Sequence, residues 1–400
     1  MAGPDFLLIG AQRAGTSSMF LHLMKNPALA TVSNQRKETH YFSGTGSRWD
    51  PNPLCDNEVE PYLRLTTIAR RRRNTTNLQV GDFSPTHLHC LCCAASLRMI
   101  NRNMKVVVLL RDPVARAVSK FFQLKQPHSR WWPEQQALEN HTFVSYVEAE
   151  LAVMRRCSDT ARRFRSSASP RSRLLAAAGA AMPRGWGAGW DMGQWMEAQC
   201  YARSSILGWS VYAPFLENYA AQFGWRQMKV LYTPDMLAAP NVTLRAVEDF
   251  LGAPRVRLHP MDKLDFLFNT RECHFYTCPR KRGRLKPLAE ALGAHAGGGA
   301  SGGGGLSAAD AALVDDMGLE SGGLGSTSSS TSSGNGNGAS TSSSASSSAS
   351  PFGQAVAALR QFYAPHVQQL FTWADQGVIP QPPPAWRAVY GLPQQQQPAG

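Results

Sequence analysis

The architecture of this chain follows from one N-terminal segment, Phe6-Leu7-Leu8-Ile9-Gly10-Ala11-Gln12-Arg13-Ala14-Gly15-Thr16-Ser17-Ser18. Its leading apolar residues predict a buried strand, and the part bounded by glycines predicts a tight turn. The apolar residues at positions 19, 20, 23 and 24 then suit one face of a helix. In such a strand, loop and helix, the unpaired N–H groups of the first helical turn and the helix dipole favour a bound phosphate.

The loop keeps part of a nucleotide-binding pattern. Gly10 and Gly15 have the G-x-x-x-x-G spacing of a P-loop, but Thr16 stands where a nucleotide triphosphatase has lysine. The usual lysine and magnesium are therefore missing. Arg13 and the hydroxyls of Thr16 and Ser17 would suit a nucleotide whose reactive group is attached to a single phosphate and needs no metal. An ordinary strand, turn and helix remains the alternative for this segment alone.

A second junction of strand and helix favours the nucleotide interpretation. Residues 105–110 predict another buried strand, which leads directly to Arg111. Asp112-Pro113 supplies a good N-cap and a good first helical residue. Arg116 and Ser119 share one face of that helix, so a second anion site is expected there. Two such junctions could hold a nucleotide that carries phosphates at both ends.

This pair of junctions resembles a known enzyme family, the sulfotransferases that use 3′-phosphoadenosine-5′-phosphosulfate (PAPS). The first junction resembles the family's 5′-phosphate loop, and the second resembles its 3′-phosphate site. Lys37-Glu38-Thr39-His40-Tyr41-Phe42 resembles the segment with the family's catalytic carboxylate. Gly81-Asp82-Phe83-Ser84-Pro85-Thr86 is similar to a later loop, in which family members often have lysine at the position of Asp82. The likeness points to the Golgi carbohydrate branch, especially enzymes acting on heparan sulfate.

The C-terminal half adds further resemblances. Cys273 and Cys278 resemble the family's disulfide hairpin, and Arg282-Gly283-Arg284 resembles its basic phosphate-binding turn. Residues 359–371 resemble the closing helix. The resemblance implies a three-layer α/β fold with a parallel central sheet and a P-loop-like phosphate-binding loop, and it implies a disulfide between Cys273 and Cys278.

The resemblance also implies a role for each candidate residue. Glu38 would accept the acceptor's proton, with His40 as the alternative base, and Arg13 would stabilise the leaving phosphate. The expected contacts of the 5′-phosphate are Arg13, Ala14, Gly15, Thr16 and Ser17. Those of the 3′-phosphate are Arg111, Ser119, Arg282, Gly283 and Arg284. An extended segment would turn Glu38 and His40 to one side and Lys37 to the other. No metal is expected.

The expected reaction transfers the sulfuryl group of PAPS to a hydroxyl or amine. The acceptor implied by the resemblance is an anionic or neutral glycan, such as a glycosaminoglycan-like polysaccharide. Several alternatives remain open. The acceptor could be a protein tyrosine or a small molecule, or the chain could be an inactive glycan-binding protein of the same fold. A nucleotide kinase would need the P-loop lysine and magnesium ligands that this sequence lacks.

Charge and hydropathy limit the kinds of binding partner and the cellular compartment that fit this sequence. A net charge of +13 over 400 residues fits an anionic cofactor and acceptor. Nucleic-acid binding is not favoured, because no zinc-finger or helix-turn-helix signature appears and the run Arg70-Arg71-Arg72-Arg73 is typical of a solvated patch. No apolar segment approaches the roughly 20 residues of a membrane span, and no signal peptide is visible. We expect a Golgi-lumen protein that reaches the membrane only through an N-terminal anchor outside this sequence.

Cysteines and sequons fit a secretory protein. Eight cysteines predict one or two disulfides, and the sequons at Asn74, Asn140 and Asn241 permit N-glycosylation. The cluster from His87 to Cys93 contains residue types that bind zinc but lacks a second pair of ligands. Small cysteines on a helix face are expected there instead.

Composition divides the chain into one domain and its excursions. The sulfotransferase domain is expected to comprise residues 1–290 and 351–380. Residues 166–189 are rich in Ser, Ala, Arg, Gly and Pro and predict a flexible excursion. Residues 291–350 predict a disordered Gly/Ser-rich insertion, because they cannot bury enough apolar surface to offset their chain entropy. A Pro/Gln-rich tail is expected at 381–400.

Apolar periodicity predicts the remaining elements. Helices are predicted at 64–73, 86–100, 142–155, 195–223 and 242–251. A further parallel strand is predicted at 228–232, with the last of these helices as its crossover.

Overall fold

The computed structural model describes residues 3–32, 37–43, 58–73, 77–125, 136, 138–167, 190–255 and 350–393. The strands are β1 (Phe6–Gly10), β2 (Leu29–Thr31), β3 (Gln79–Asp82), β4 (Lys105–Leu110) and β5 (Met228–Tyr232). They form one five-stranded sheet in the order β2-β3-β1-β4-β5, and every described pairing is parallel. The predicted α/β fold with a parallel central sheet is confirmed.

The two central strands are buried on both faces. All of β1 is buried, and so is β4 after Lys105. An uninterrupted apolar run is typical of a parallel strand that helices cover on both sides. Because β1 pairs with both β3 and β4, the loop that follows Gly10 emerges at the middle of the sheet's carboxyl edge.

Helices cover the sheet on both faces. In the described chain they are α1 (Thr16–Leu23), α2 (Val59–Arg73), α3 (Cys93–Ile100), α4 (Pro113–Leu124), α5 (Phe143–Ser167), α6 (Met192–Arg203), α7 (Tyr212–Phe223), α8 (Thr233–Ala238), α9 (Pro240–Leu251), α10 (Pro351–Asp375) and α11 (Ala385–Val389). The chain passes from β1 to the β2 edge through α1 and returns across the sheet through α2, α3 and α4. Because crossovers between parallel strands are right-handed, opposite directions of travel place α1 on one face and the returning helices on the other. Accordingly α1 contacts α9, whereas α10 contacts α4, α5 and α7. None of the described helices is long and apolar enough to cross a membrane.

Helix α4 begins where the sequence predicts it. The carboxylate of Asp112 accepts a hydrogen bond from the N–H of Ala115 at 2.8 Å, and Pro113 occupies the first helical position. A side-chain cap satisfies one of the N–H groups that every helix start leaves unpaired. The direction in which the chain leaves β4 is therefore defined.

The predictions for two long helices are wrong, because each region contains a break. Residues 86–100 form a 3₁₀ turn at His87–His89 before α3. Residues 195–223 form the end of α6, a 3₁₀ turn at Gly208–Ser210, and α7. A Cβ atom at position 208 would lie 2.1 Å from the carbonyl oxygen of Tyr201, so glycine permits the close approach on which this second break depends.

Three other helices have different boundaries from those predicted. Helix α2 begins before residue 64, at Val59. Helix α5 continues to Ser167, into the segment 166–189 that was expected to be an excursion. Helix α9 begins at Pro240 and follows β5, which is an edge strand, so it does not cross to another described strand. Residues 168–189 and 291–349 lie outside the described residues.

Two disulfides are formed among the described cysteines. Cys157 and Cys200 join α5 to α6, with their Cα atoms 6.0 Å apart. Cys90 and Cys93 are also bonded to each other, so the expectation of thiols on a helix face is wrong for this pair. No group of potential metal ligands forms in the part of the chain described. The expected pair Cys273 and Cys278 lies outside the described residues.

The folded region extends beyond the predicted boundary at 380. Trp386 and Tyr390 are buried, and the ring of Trp386 packs edge-on against Tyr232 of β5 at a centroid distance of 5.6 Å. The hydroxyl of Tyr390 donates to Asp112 at 2.7 Å. The segment 381–393 is therefore folded onto the domain, because Trp386 packs against β5 and Tyr390 bonds the residue that caps α4.

We expect Trp386→Ala to lower the free energy of unfolding by about 3–5 kcal/mol, since it removes a buried indole. Chemical denaturation followed by circular dichroism measures this loss. Gln381→Ala is the control in the same segment, because the Gln381 amide makes an exposed bond to Asp375 and its removal should cost less than about 0.5 kcal/mol. Equal effects of the two substitutions would contradict the packing of this segment.

Candidate active site

The loop between β1 and α1 leaves the first turn of α1 without a side-chain cap. Gly15 has a φ of 95°, a left-handed conformation that favours glycine. Thr16 and Ser17 follow it, and both are buried. The helix start thus offers backbone N–H groups and two hydroxyls to one small anion.

Neighbouring strands fix this loop in place. The N–H of Ala11 donates to the carbonyl of Leu109 in β4 at 2.7 Å. The hydroxyl of Thr233 donates to the carbonyls of Ala14 at 2.7 Å and Leu110 at 3.0 Å. The loop is thereby tied to the carboxyl ends of both β4 and β5.

Arg13 connects the two predicted anion sites. Its Nε donates to the hydroxyl of Ser119 on α4 at 3.1 Å, although the two residues are 106 positions apart. Arg111 in turn donates to the carbonyl oxygen of Arg13 at 3.3 Å. The structure therefore brings together Arg13, Arg111 and Ser119, which the sequence placed at two separate junctions.

The electrostatics of this cluster favour an anionic ligand. Burial, together with the nearby guanidinium groups of Arg111 and Arg116, lowers the pKa of Arg13 to about 10. Among the described residues, no carboxylate forms an ion pair with Arg13. Half-buried positive charge of this kind is stabilised when an anion neutralises it. The chemistry of these donors fits a phosphorylated nucleotide such as the one the family resemblance implies.

Arg116 has a structural role rather than the expected place in the anion site. It is fully buried and donates to the hydroxyl of Ser210 at 2.6 Å and to the carbonyl of Ser205 at 2.9 Å. It also donates to the carbonyls of Ile206 and Gln12. These bonds use its guanidinium to hold the turn before α7 against residues 11–15, the loop between β1 and α1 that we call the phosphate loop.

Lys37 points into the site, contrary to the prediction that it faces away. Its Nζ lies 3.1 Å from the hydroxyl of Thr16, 3.2 Å from that of Ser17 and 2.6 Å from Oε1 of Glu38. Its side chain is only 1% exposed. The alternation expected of a strand fails because the segment is not extended, and His40 has a φ of 52°. Sequence reasoning missed Lys37 as a site residue; its place beside Glu38 was the available signal.

Glu38 lies between two cationic or hydrogen-bonding partners. Oε1 contacts Lys37, and Oε2 is 2.8 Å from Nε2 of His40. Burial by itself would raise the pKa of Glu38, but Lys37 and His40 outweigh burial and lower the pKa to about 2. The carboxylate is therefore ionised at neutral pH, and 26% of its side chain is exposed.

The ring of His40 is held at both nitrogens. Nε2 faces the Glu38 carboxylate, and Nδ1 is 2.8 Å from the hydroxyl of Thr86. The Thr86 hydroxyl is also 2.6 Å from that of Ser43. Because Glu38 is ionised, Nε2 must carry the proton in that contact, and the Thr86 hydroxyl bonds the other nitrogen. His40 thus orients Glu38 while Thr86 orients His40.

Asp82 anchors the segment that carries Glu38. This buried carboxylate accepts hydrogen bonds from the hydroxyls of Thr39 at 2.7 Å, Tyr62 at 2.8 Å and Ser84 at 2.6 Å. The Ser84 hydroxyl accepts from the N–H groups of both Thr39 and His40, each at 3.0 Å. Asp82 therefore positions the backbone at His40 and does not contact the phosphate loop. The sequence showed only that lysine is often found at this position in the resembled family.

Arg282, Gly283 and Arg284, expected at the 3′-phosphate, lie outside the described residues. The described contacts at that position come from Arg111, Ser119 and the elements that hold them. The hydroxyl of Tyr212 donates to the carbonyl of Arg111 at 2.9 Å, and Tyr390 bonds the neighbouring Asp112.

We expect Arg111→Ala and Ser119→Ala each to weaken the binding of adenosine 3′,5′-bisphosphate, because each removes a hydrogen-bond partner of a doubly charged phosphate. A bond to a charged group contributes about 1.5–3 kcal/mol, so the affinity should fall roughly tenfold or more. Isothermal titration calorimetry measures the change. Arg255→Ala, which removes an exposed arginine paired with Asp249, is the charge-matched control. Unchanged affinity in both site variants would remove these residues from the anion site.

Comparisons with known proteins show what this chain is similar to. A family model described as "Sulfotransferase domain" matches residues 3–265. The membrane-associated sulfotransferase kil1 of Dictyostelium discoideum is 30% identical over 122 residues, which are 30% of this chain and 22% of that protein. The aligned part thus spans about a fifth of that relative. A crystal structure of a sulfotransferase from Alicyclobacillus acidocaldarius superposes with a TM-score of 0.40 and 20% identity, over 74% of this chain and 92% of the other.

The family match includes both junctions, the Glu38 segment and every described strand. It extends over more than half of the chain and agrees with the parallel sheet that carries the site. This chain therefore belongs to the sulfotransferase domain family.

Proposed function

We propose that this protein is a sulfotransferase that moves the sulfuryl group of PAPS to a hydroxyl or amine of a carbohydrate acceptor. The observation that carries the proposal is the hydrogen bond between Arg13 and Ser119, which joins the loop after β1 to α4. Through this contact the two anion sites lie side by side. A nucleotide with phosphates at both ends requires such an arrangement.

The donors of the site divide between the two phosphates. Thr16, Ser17 and the N–H groups at the start of α1 bind the 5′-phosphate. Arg111 and Ser119 bind the 3′-phosphate through charge-assisted and hydroxyl bonds. PAPS, when bound, supplies an activated sulfuryl group attached to its 5′-phosphate.

Arg13 stabilises the negative charge that develops on the leaving phosphate. Its guanidinium keeps N–H groups beyond the one bonded to Ser119, and a guanidinium can bind two phosphate oxygens at once. With a pKa of about 10, Arg13 stays protonated at neutral pH. It therefore acts as a fixed cation rather than as a proton donor.

Glu38 accepts the proton of the acceptor. Each carboxylate oxygen has a second lone pair beyond its bond to Lys37 or His40, and part of the side chain is exposed. The His40 ring is bonded at both nitrogens, to Glu38 and to Thr86, so it positions the carboxylate. The acceptor's hydroxyl or amine would donate to Glu38 as its oxygen or nitrogen attacks sulfur.

Two features support a location in the secretory pathway, and a third bears on the acceptor. The disulfide between Cys157 and Cys200 is typical of an oxidising compartment such as the secretory pathway. Asn140 is exposed, as an N-glycosylation site must be, whereas Asn241 is half-buried in the first turn of α9. The net charge of +13 favours anionic acceptors over neutral ones.

The proposal is tested by incubating the purified full chain with radiolabelled PAPS and a panel of acceptors. The panel contains desulfated glycosaminoglycans, a tyrosine peptide and a simple phenol. We expect label in the glycans. Label only in the peptide or the phenol would contradict the carbohydrate acceptor, and no transfer despite tight binding of adenosine 3′,5′-bisphosphate would indicate an inactive glycan-binding protein.

We expect Glu38→Gln to lower turnover by roughly 10²- to 10⁴-fold while the variant still binds the nucleotide, because glutamine keeps the size of the side chain but cannot accept the proton. Steady-state sulfation assays measure the loss. Glu60→Gln, at an exposed ion pair with Arg64, is the control. If Glu38→Gln retains near-normal turnover and His40→Ala does not, the base is His40 instead.

A further inference from the structure

Lys37 contacts both halves of the proposed chemistry at once. Its Nζ is bonded to Thr16 and Ser17, which are assigned to the 5′-phosphate, and to Glu38, which is assigned to the acceptor's proton. No other described side chain contacts both Glu38 and the phosphate loop. A single ammonium group therefore stands between the donor and the base.

The partners of Lys37 do not neutralise its charge equally well. Two of them are neutral hydroxyls, and the third is a carboxylate that also bonds His40. Because the lysine is almost fully buried, solvent contributes little to stabilising its charge. A phosphate bound at Thr16 and Ser17 would be a second anion within reach of the same ammonium group, and would compete with Glu38 for it.

This competition has a consequence for Glu38. A carboxylate held by an ammonium group at 2.6 Å is a weak proton acceptor, because the ion pair stabilises its charged form. Removing the ammonium group would restore the basicity of the carboxylate. Arrival of the donor would then prepare the base that the acceptor needs.

We propose that Lys37 is a donor-binding residue whose ammonium group shifts from Glu38 to the 5′-phosphate when the donor binds, and that this shift frees Glu38 to accept the acceptor's proton. The inference rests on the proposed function and adds to it a catalytic residue and an order of events, with donor before acceptor. Arg13 and Lys37 then approach the 5′-phosphate from two different segments of the chain.

The first test compares two nucleotides by calorimetry on the full chain. Adenosine 3′,5′-bisphosphate carries the phosphate that Lys37 would bind, and adenosine 3′-monophosphate lacks it. We expect Lys37→Met to weaken the bisphosphate about 10- to 100-fold and to leave the monophosphate unchanged. Lys37→Gln, which keeps a hydrogen-bond donor, should lose most of the same affinity.

Lys105→Met is the matched control. Lys105 is a half-buried lysine whose ammonium group donates to the carbonyl of Leu251 at 3.0 Å, and it lies at the start of β4, away from the carboxyl end where the site lies. The Lys105→Met variant should bind both nucleotides with the affinity of the unaltered chain. Thermal unfolding of each variant shows whether a loss of affinity comes from unfolding instead.

The second test detects the competition itself. Glu38→Gln removes the rival anion, so it should tighten bisphosphate binding roughly three- to tenfold. In the Lys37→Met background that tightening should be smaller, because only the repulsion between carboxylate and phosphate is then relieved.

The outcomes separate this inference from the proposed function. An unaltered chain that binds neither nucleotide overturns the proposed function. Normal bisphosphate binding by the Lys37 variants overturns the proposed contact between Lys37 and the donor, but leaves the proposed function standing. Equal tightening by Glu38→Gln in both backgrounds overturns the competition and therefore the shift.

Discussion

Parallel pairing places the carboxyl ends of all five strands at one edge of the sheet, and the site depends on this arrangement. β1 ends at Gly10, β3 at Asp82 and β4 at Leu110. The phosphate loop, the loop containing Ser84 and the Arg111 junction consequently leave the sheet side by side. Residues far apart in sequence therefore meet at this edge of the sheet.

The site contains more positive charge than its own carboxylates balance. Arg116 is satisfied by neutral oxygens, mainly backbone carbonyls, while Arg13 bonds a hydroxyl. Lys37, by contrast, forms an ion pair with a carboxylate of the site, that of Glu38. Buried cations without carboxylate partners lower the stability of the free protein and raise its affinity for anions. Affinity for an anionic ligand is thus built into the free structure.

A second network holds the segment that contains Glu38, residues 37–43, in a shape that is not regular secondary structure. Asp82 accepts hydrogen bonds from three hydroxyls, one of which belongs to Ser84. The Ser84 hydroxyl in turn accepts hydrogen bonds from the backbone N–H groups of Thr39 and His40. Fully satisfied buried polar groups rigidify their surroundings, because breaking one bond leaves a costly unpaired group. His40 can therefore hold a left-handed backbone conformation and keep its ring against Glu38.

Local sequence was sufficient for the elements whose signals are short-range. The apolar runs of β1, β4 and β5, the Asp112 cap and the glycine before α1 each act on their near neighbours, so their structure could be read from the chain. The resemblance to sulfotransferases likewise rested on contiguous motifs. Breaks such as the one at Gly208 were missed, because they depend on a close approach to Tyr201 that no helical periodicity reveals.

Contacts between distant segments depended on the assembled fold. The bond from Arg13 to Ser119, the contacts of Lys37 with Thr16 and Ser17, and the bond from Tyr390 to Asp112 each join residues whose proximity arises from strand order and helix packing. The prediction that Lys37 faces away from the site was wrong, because side-chain alternation assumes an extended backbone. The hydrogen bonds of the Thr39 and His40 N–H groups to Ser84 hold the backbone in another shape. Short-range preferences are encoded residue by residue, whereas side-chain direction in an irregular segment is set by partners that come from elsewhere in the chain.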